Sequence, residues 1–308
     1  MNPGVPQVVS ASRRTDIPAF YGAWFLARLA AGYAAVASPY GGPPYRVALD
    51  AASVSGFAFW TRNIAPFRPA LDAVKARGTP FTVQFTITGY PHALERAVIA
   101  PDAAATQLRA LADEHGPRIA VWRYDPILLT SLTPPAWQRA NFARLAASLA
   151  GATDEVTVSF AQIYRKTRRN LDAAARAGNF AWHDPDPAEK RALVAGLAEI
   201  ADSHRMRLTV CAQPDLIAPP AAAASCIDAT RLSDVAGRPI AARRKGNRPG
   251  CDCSESRDIG AYDTCPHGCA YCYAVSSHTG ARRRHRDHDP AAEGLAPALG
   301  VKTPTATA

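Results

Sequence analysis

A chain of 308 residues with 48% hydrophobic side chains is long enough to bury a sizeable core, which excludes a protein disordered throughout. The formal charge of +9 admits an anionic partner, whether nucleic acid, phosphate or a cofactor carboxylate, and equally fits a solvated basic surface. No stretch approaches the roughly 20 apolar residues needed to cross a bilayer, and Met1 to Gln7 has no charged region ahead of an apolar run, so a soluble cytoplasmic protein is expected.

In chain order, Val8–Ser12 is the first expected strand, ending in Arg13-Arg14-Thr15-Asp16, and Pro18 opens an alanine-rich helix to Ala31. A β-like run at Tyr45–Leu49 follows a Gly-Pro turn. Gly56–Trp60 reads as a strand ending in Thr61-Arg62-Asn63, with a helix over Phe67–Arg77 closed by Gly78. The alternation continues: strand Phe81–Thr88, helix Thr106–His115; strand Ile119–Trp122 ending in Arg123-Tyr124-Asp125-Pro126, helix Trp137–Leu149; strand Glu155–Phe160 ending near Gln162, helix Pro187–His204; strand Arg207–Cys211 ending in Ala212-Gln213-Pro214-Asp215. Six strand-helix units in series argue for parallel strands with helical crossovers, hence an α/β fold with a closed or partly closed barrel over residues 1–217. In such folds the site is built at the carboxyl ends of the strands, which gathers Arg13, Thr15, Asp16, Arg62, Asn63, Arg123, Asp125, Gln162, Gln213 and Asp215 at one mouth. Some of these residues also suit caps and turns.

Beyond Asp215 the periodicity stops. Residues 218–276 form a cysteine-rich segment that includes a basic loop at Arg243–Gly250, and residues 277–308, first Arg/His-rich and then Pro/Ala/Thr-rich, read as a disordered tail.

The seven cysteines are an odd number, and five lie between Cys251 and Cys272, too local for a disulfide framework and typical of metal binding in a reducing compartment. Cys265, Cys269 and Cys272 are spaced CxxxCxxC rather than as the paired CxxC of structural zinc sites. Three ligands on a cubane cluster leave one iron open to a small molecule. Cys211, Cys226, Cys251 and Cys253 remain, enough to ligate a second cluster or a zinc, though lone cysteines in apolar strands are often small buried hydrophobes.

The run Cys265-x-x-x-Cys269-x-Tyr271-Cys272 resembles the radical S-adenosylmethionine (SAM) signature, including its aromatic before the third cysteine, and the strand-helix pattern is similar to that superfamily's partial (β/α)6, TIM-like barrel. The closest resemblance, over about residues 8 to 274, is to the DUF1848 proteins. It is carried by Ser12–Asp16, Phe59–Asn63, Thr86–Tyr90, Trp122–Pro126 and Gly260–Cys265. A weaker similarity to the spore photoproduct lyase branch lies in Phe59–Asn63 and Gly89–Pro101. The superfamily's triad follows its first strand, whereas here it follows the sixth unit, so the C-terminal segment is expected to fold back over the barrel mouth.

The resemblance implies a 4Fe-4S cluster on Cys265, Cys269 and Cys272 whose free iron chelates SAM. Reductive cleavage then gives methionine and a 5′-deoxyadenosyl radical that abstracts a substrate hydrogen. It also implies a reductant such as flavodoxin or ferredoxin, and a small-molecule, peptide or nucleic-acid substrate that the sequence does not specify. Arg13, Arg62 and Arg123 are candidates for the methionine carboxylate, and Asn63, Ser159 and Gln162 for the ribose. The superfamily's glycine-glycine-glutamate element is absent. His267, between two of the thiols, reads as a loop residue rather than a ligand. The alternative class is a non-catalytic β/α scaffold whose cysteines hold structural zinc or an electron-transfer cluster.

Overall fold

The computed structural model describes residues 6–38 and 42–296. Strand β1 (Gln7–Ala11) leads into helices α1 (Ile17–Phe20) and α2 (Gly22–Ala31), followed by an antiparallel pair, β2 (Tyr33–Val36) and β3 (Tyr45–Ala48). Next come β4 (Val54–Thr61), α3 (Arg68–Ala76), β5 (Phe81–Thr86), α4 (Pro101–His115), β6 (Ala120–Ile127), the short β7 (Leu129–Thr130) and α5 (Pro135–Leu149). The chain continues through β8 (Glu155–Phe160), α6 (Arg165–Gly178), β9 (Trp182–His183), α7 (Pro187–Ser203) and β10 (Arg207–Val210). Four short elements end it: β11 (Ala222–Ala223), α8 (Ala229–Ala236), β12 (Ser256–Asp258) and α9 (His278–Arg286).

Eight strands form one sheet in the order β11-β10-β8-β6-β5-β4-β1-β12, every neighbouring pair parallel. Six of them are the strands expected from the sequence. Among the described residues no ladder joins β11 to β12, so the closed barrel allowed by the sequence is corrected to an open parallel sheet in an α/β fold. Its two outer strands come from the C-terminal segment and are too short to close a ring. The Tyr45 run lies outside this sheet, paired with β2.

Alternation along the strands sorts their side chains. Phe57 and Phe59, Val83 and Phe85, Trp122 and Tyr124, and Val156 and Val158 belong to the main apolar core with Phe25 of α2, Val74 of α3, Leu108 of α4, Phe142 of α5 and Leu197 of α7. A parallel sheet covered by helices buries such runs almost continuously. The alternate positions are buried yet polar: Ser10, Thr82, Gln84, Arg123, Thr157 and Thr209. They satisfy one another, as in the Thr157–Thr209 hydroxyl pair at 2.9 Å and the Arg123 Nη1 to Gln84 Oε1 bond at 3.0 Å.

Helix α8 covers this polar face near the strands' amino ends. Its Asp228 cap accepts from the amides of Thr230 and Arg231. Leu232 packs with Val8 and Ala58, and the buried Arg231 donates to Asp154, Glu155 and the Arg118 carbonyl at 2.9, 2.9 and 3.0 Å. Helix α9 lies inside the stretch expected to be disordered. It and the residues after it dock on α1 and α2: His285 meets the rings of Phe20 and Tyr21, and Trp24 Nε1 donates to the Ala292 carbonyl at 2.9 Å. Residues 297–308, the end of that expected tail, lie outside the described residues.

Candidate metal and cofactor site

The thiol loop is set in place by its flanks. Strand β12 pairs in parallel with β1, Val8 opposite Ser256 and Ser10 opposite Asp258. Asp258 then gathers four donors from both ends of the chain: the Ser12 hydroxyl at 2.7 Å, the Ser10 hydroxyl at 3.1 Å, and the amides of Arg13 and Gly260 at 3.1 and 2.9 Å. Position 260 admits only glycine, because a Cβ there would lie 1.9 Å from Ser12 Oγ. The Tyr21 hydroxyl donates to the Thr264 carbonyl at 2.7 Å, just before the first thiol.

Inside the loop, the backbone bonds to the segment after β5: Ala97 N to the His267 carbonyl and Ala270 N to the Leu94 carbonyl, both at 2.9 Å, with a bridge between Glu95 and Cys269. His267 is fixed by both ring nitrogens, Nε2 at 2.8 Å from Asp16 Oδ2 and Nδ1 at 3.1 Å from the Ala97 carbonyl. Asp16 also caps α1 through Ala19 N and accepts the Arg62 amide at 2.8 Å, so one carboxylate ties the ends of β1 and β4 to the loop. Helix α6 secures the exit, Asn170 Nδ2 to the Val275 carbonyl at 3.1 Å and Arg169 Nη2 to Ser276 at 2.6 Å.

Beside Cys269 lies a buried ionic network. Arg62 Nη1 is 2.9 Å from Glu95 and 3.2 Å from Thr88 Oγ1, while Nη2 donates to the Tyr271 hydroxyl at 2.7 Å, which in turn donates to Glu95. Burial pulls the Arg62 pKa down, but Glu95, Tyr271 and Cys269 outweigh it and hold the guanidinium well above its ordinary value. All three thiols are pushed up by burial first: Cys265 to about 12, Cys272 in the same direction, and Cys269 well above the usual thiol value although Arg62 opposes it. Cys265 and Cys269 also feel the charge of Cys272, so the three sulfurs share one neighbourhood beside Asp16 and Arg62.

The other predicted residues divide. Arg123 stands apart from the triad: it pairs with Asp125 (Nε to Oδ1, 2.9 Å), lies over the Trp60 ring and donates to Cys226 Sγ at 2.9 Å. Ser159 donates to Asp125 at 3.1 Å, and Gln213 bonds the backbone of Phe160. Asn63 accepts from Gln107 at 2.9 Å; Gln162 meets Tyr164 and Arg248. Arg13 and Thr15 differ from these, since Arg13 Nη1 and Thr15 Oγ1 are buried atoms without a hydrogen-bond partner.

The remaining four cysteines come together. Cys226 Sγ is 3.5 Å from Cys211 Sγ, and Cys253 lies in the same buried cluster with Cys251 packed against it. The bond to Cys226, then burial, raises Cys211 well above the ordinary thiol value. Cys226 is pushed up to about 11: its bond to Cys211 pulls down, but Cys253 and burial prevail. Cys253 likewise reaches about 11, its bond to Cys226 being outweighed by Cys251 and burial, whereas the bond from Cys253 brings Cys251 down to about 6. Among the described residues, no group of three or more His, Cys, Asp or Glu side chains is placed so that it could hold a metal ion without side-chain movement, and no helix is long and apolar enough to cross a membrane.

Sequence reasoning missed Glu95, Thr88 as its partner, and Asp258. Glu95 sits in an aperiodic loop and Asp258 in a strand of three residues, so neither carries a pattern of its own.

Residues 8–274 match the family described as a domain of unknown function, DUF1848. The chain belongs to that family. No curated protein matches this DUF1848 chain. The Asp258 hub and the Arg62 network therefore both lie within the DUF1848 region, as do all seven cysteines, whereas α9 lies outside it.

Proposed function

We propose that this DUF1848 protein is a radical SAM-type iron-sulfur enzyme acting on a substrate still to be identified, its parallel sheet serving as an open, partial (β/α)6 barrel. The observation that carries the reading is the assembly of Cys265, Cys269 and Cys272 beside Asp16 and Arg62, at the carboxyl ends of β1 and β4. Sites of parallel α/β sheets are built at that edge.

The residues present fit the group. Three thiols, Cys269 buried and Cys265 and Cys272 half-buried, suit a cluster, and the unpartnered Arg13 Nη1 and Thr15 Oγ1 are donors with capacity to spare at the same strand end. Cys265, Cys269 and Cys272 would hold four irons, which with SAM bound supply the electron that cleaves the cofactor's carbon–sulfur bond. Arg13 is the guanidinium for the methionine carboxylate, because Arg62 and Arg123 are already paired with Glu95 and Asp125. Asp16 and His267 hold the loop's orientation, and Tyr271 and Leu94 exclude water from its inner side.

Anaerobically reconstituted protein with dithionite and SAM should release 5′-deoxyadenosine, measured by chromatography, and Cys269→Ala should abolish release while the sheet stays folded by circular dichroism. Arg13→Ala should raise KM for SAM by about tenfold or more, the worth of one charge-assisted hydrogen bond. Iron-replete, reduced protein that leaves SAM intact while binding zinc stoichiometrically would make the site a structural or electron-transfer centre instead.

A further inference from the structure

The four thiols outside the loop form a second, chemically different centre: we infer that Cys211, Cys226, Cys251 and Cys253 ligate a single thiophilic metal ion, zinc(II) or iron(II), in a closed tetrathiolate site. The inference is independent of the function proposed for the triad. Three separate parts of the chain deliver the ligands: the end of β10, the link between β11 and α8, and the loop before β12. Their backbones are already joined around the sulfurs, Ala224 N to the Val210 carbonyl at 3.0 Å, Ser254 N to the Ile227 carbonyl at 2.8 Å and Ser225 Oγ to the Asp252 carbonyl at 3.0 Å.

The spacing speaks for one ion. Metal–sulfur bonds of about 2.3 Å in a tetrahedron set neighbouring sulfurs about 3.8 Å apart, and Cys211 and Cys226 stand at 3.5 Å. A cubane would give each thiolate a different iron and spread the sulfurs much further. Cys211, Cys226 and Cys253 share one buried cluster with Cys251 packed against it, so rotation about χ1, chiefly of the half-buried Cys251, brings the set around a common centre.

Charge supports the same conclusion. Four thiolates around a divalent ion carry a net charge of about −2. Two guanidinium groups face the sulfurs, Arg123 Nη1 at 2.9 Å from Cys226 and Arg248 Nη2 at 3.7 Å from Cys211. Cysteines buried merely as small hydrophobes would have no use for a guanidinium donor deep in the fold. Arg123 thereby serves the second centre, held by Asp125 and Gln84 from behind. With no open position, the ion would fasten the C-terminal segment to the β10 side of the sheet.

The test uses the full chain with Cys265, Cys269 and Cys272 all changed to Ala, purified anaerobically and titrated with cobalt(II). Expected is one cobalt per chain with thiolate-to-cobalt charge-transfer absorption, displaced by zinc, and at least tenfold weaker binding in Cys226→Ser and Cys253→Ser versions. Should those fail to fold, Cys251→Ser, on the half-buried loop position, must weaken binding in the same way. The inference is overturned if the triad-less chain gives no such absorption, if Cys226→Ser and Cys251→Ser leave it unchanged, or if it carries acid-labile sulfide with its iron. An intact mass lighter by one pair of hydrogens, marking a Cys211–Cys226 disulfide, overturns it as well.

Discussion

Arg62 illustrates how much a single side chain settles here. It is buried and reaches Glu95, Thr88 and Tyr271 together, and its own amide sits on Asp16. Replacing it by Ala strands a buried carboxylate, which costs about 3 kcal/mol or more; urea denaturation of Arg62→Ala against wild type should show that loss, and a change below about 1 kcal/mol would place the network's weight elsewhere. At Cys251 the prediction concerns reactivity. Its pKa is depressed to about 6 while its partner Cys253 is raised to about 11, so in metal-free protein at neutral pH Cys251 is the thiolate of the pair. Iodoacetamide should therefore label Cys251 ahead of the other six cysteines at neutral pH, with a rate that falls as pH drops through about 6, followed by peptide mass spectrometry. Single residues were also the hardest part to read from the sequence. The three loop thiols announce themselves by spacing, whereas Glu95 and Asp258 acquire meaning only when the fold brings Arg62 and Ser12 to them.

Among the elements, those with strong apolar periodicity were legible and those that serve the site were not. Strand β8 spans the residues expected of it, and β4 and β6 run a few residues longer, because a parallel strand covered by helices declares itself as a continuous apolar run. Helices α4 and α5 begin earlier than their apolar pattern suggests, at Pro101 and Pro135, where proline occupies the first turn. Helix α6 was overlooked because its run of Arg165, Lys166, Arg168 and Arg169 leaves little apolar face to detect; Thr167 and Leu171 alone among its residues are buried, yet it clamps the loop's exit. Helix α8 was hidden by the Pro/Ala-rich passage before it. Its Arg231 faces Glu155 and Asp154 across a buried pair, so Arg231→Ala should lower stability by about 3 kcal/mol in a denaturant titration, whereas Arg231→Lys should recover only part of that because it cannot fork between both carboxylates.

For the molecule as a whole, the open sheet joins its two ends through Asp258. Gly260→Ala drives a methyl into Ser12 and should undock the β12 side, lowering iron loading of the triad at unchanged helix content; metal analysis alongside circular dichroism checks it. The α/β class and the order of the six main strands could be read from strand-helix alternation, while the edges could not, since strands of two and three residues leave no period to detect. The pairing of β12 with β1 also has a consequence in time. The first strand is made early and its neighbour some two hundred and fifty residues later, at Ser256–Asp258. A chain growing from the ribosome can fold helices α1 to α7 and the inner strands before a single one of the triad's thiols has been synthesised. On the function proposed here, metal insertion at that loop must follow synthesis of nearly the whole sheet, and a ribosome stalled before Cys265 would display a largely assembled sheet that binds no iron at the triad.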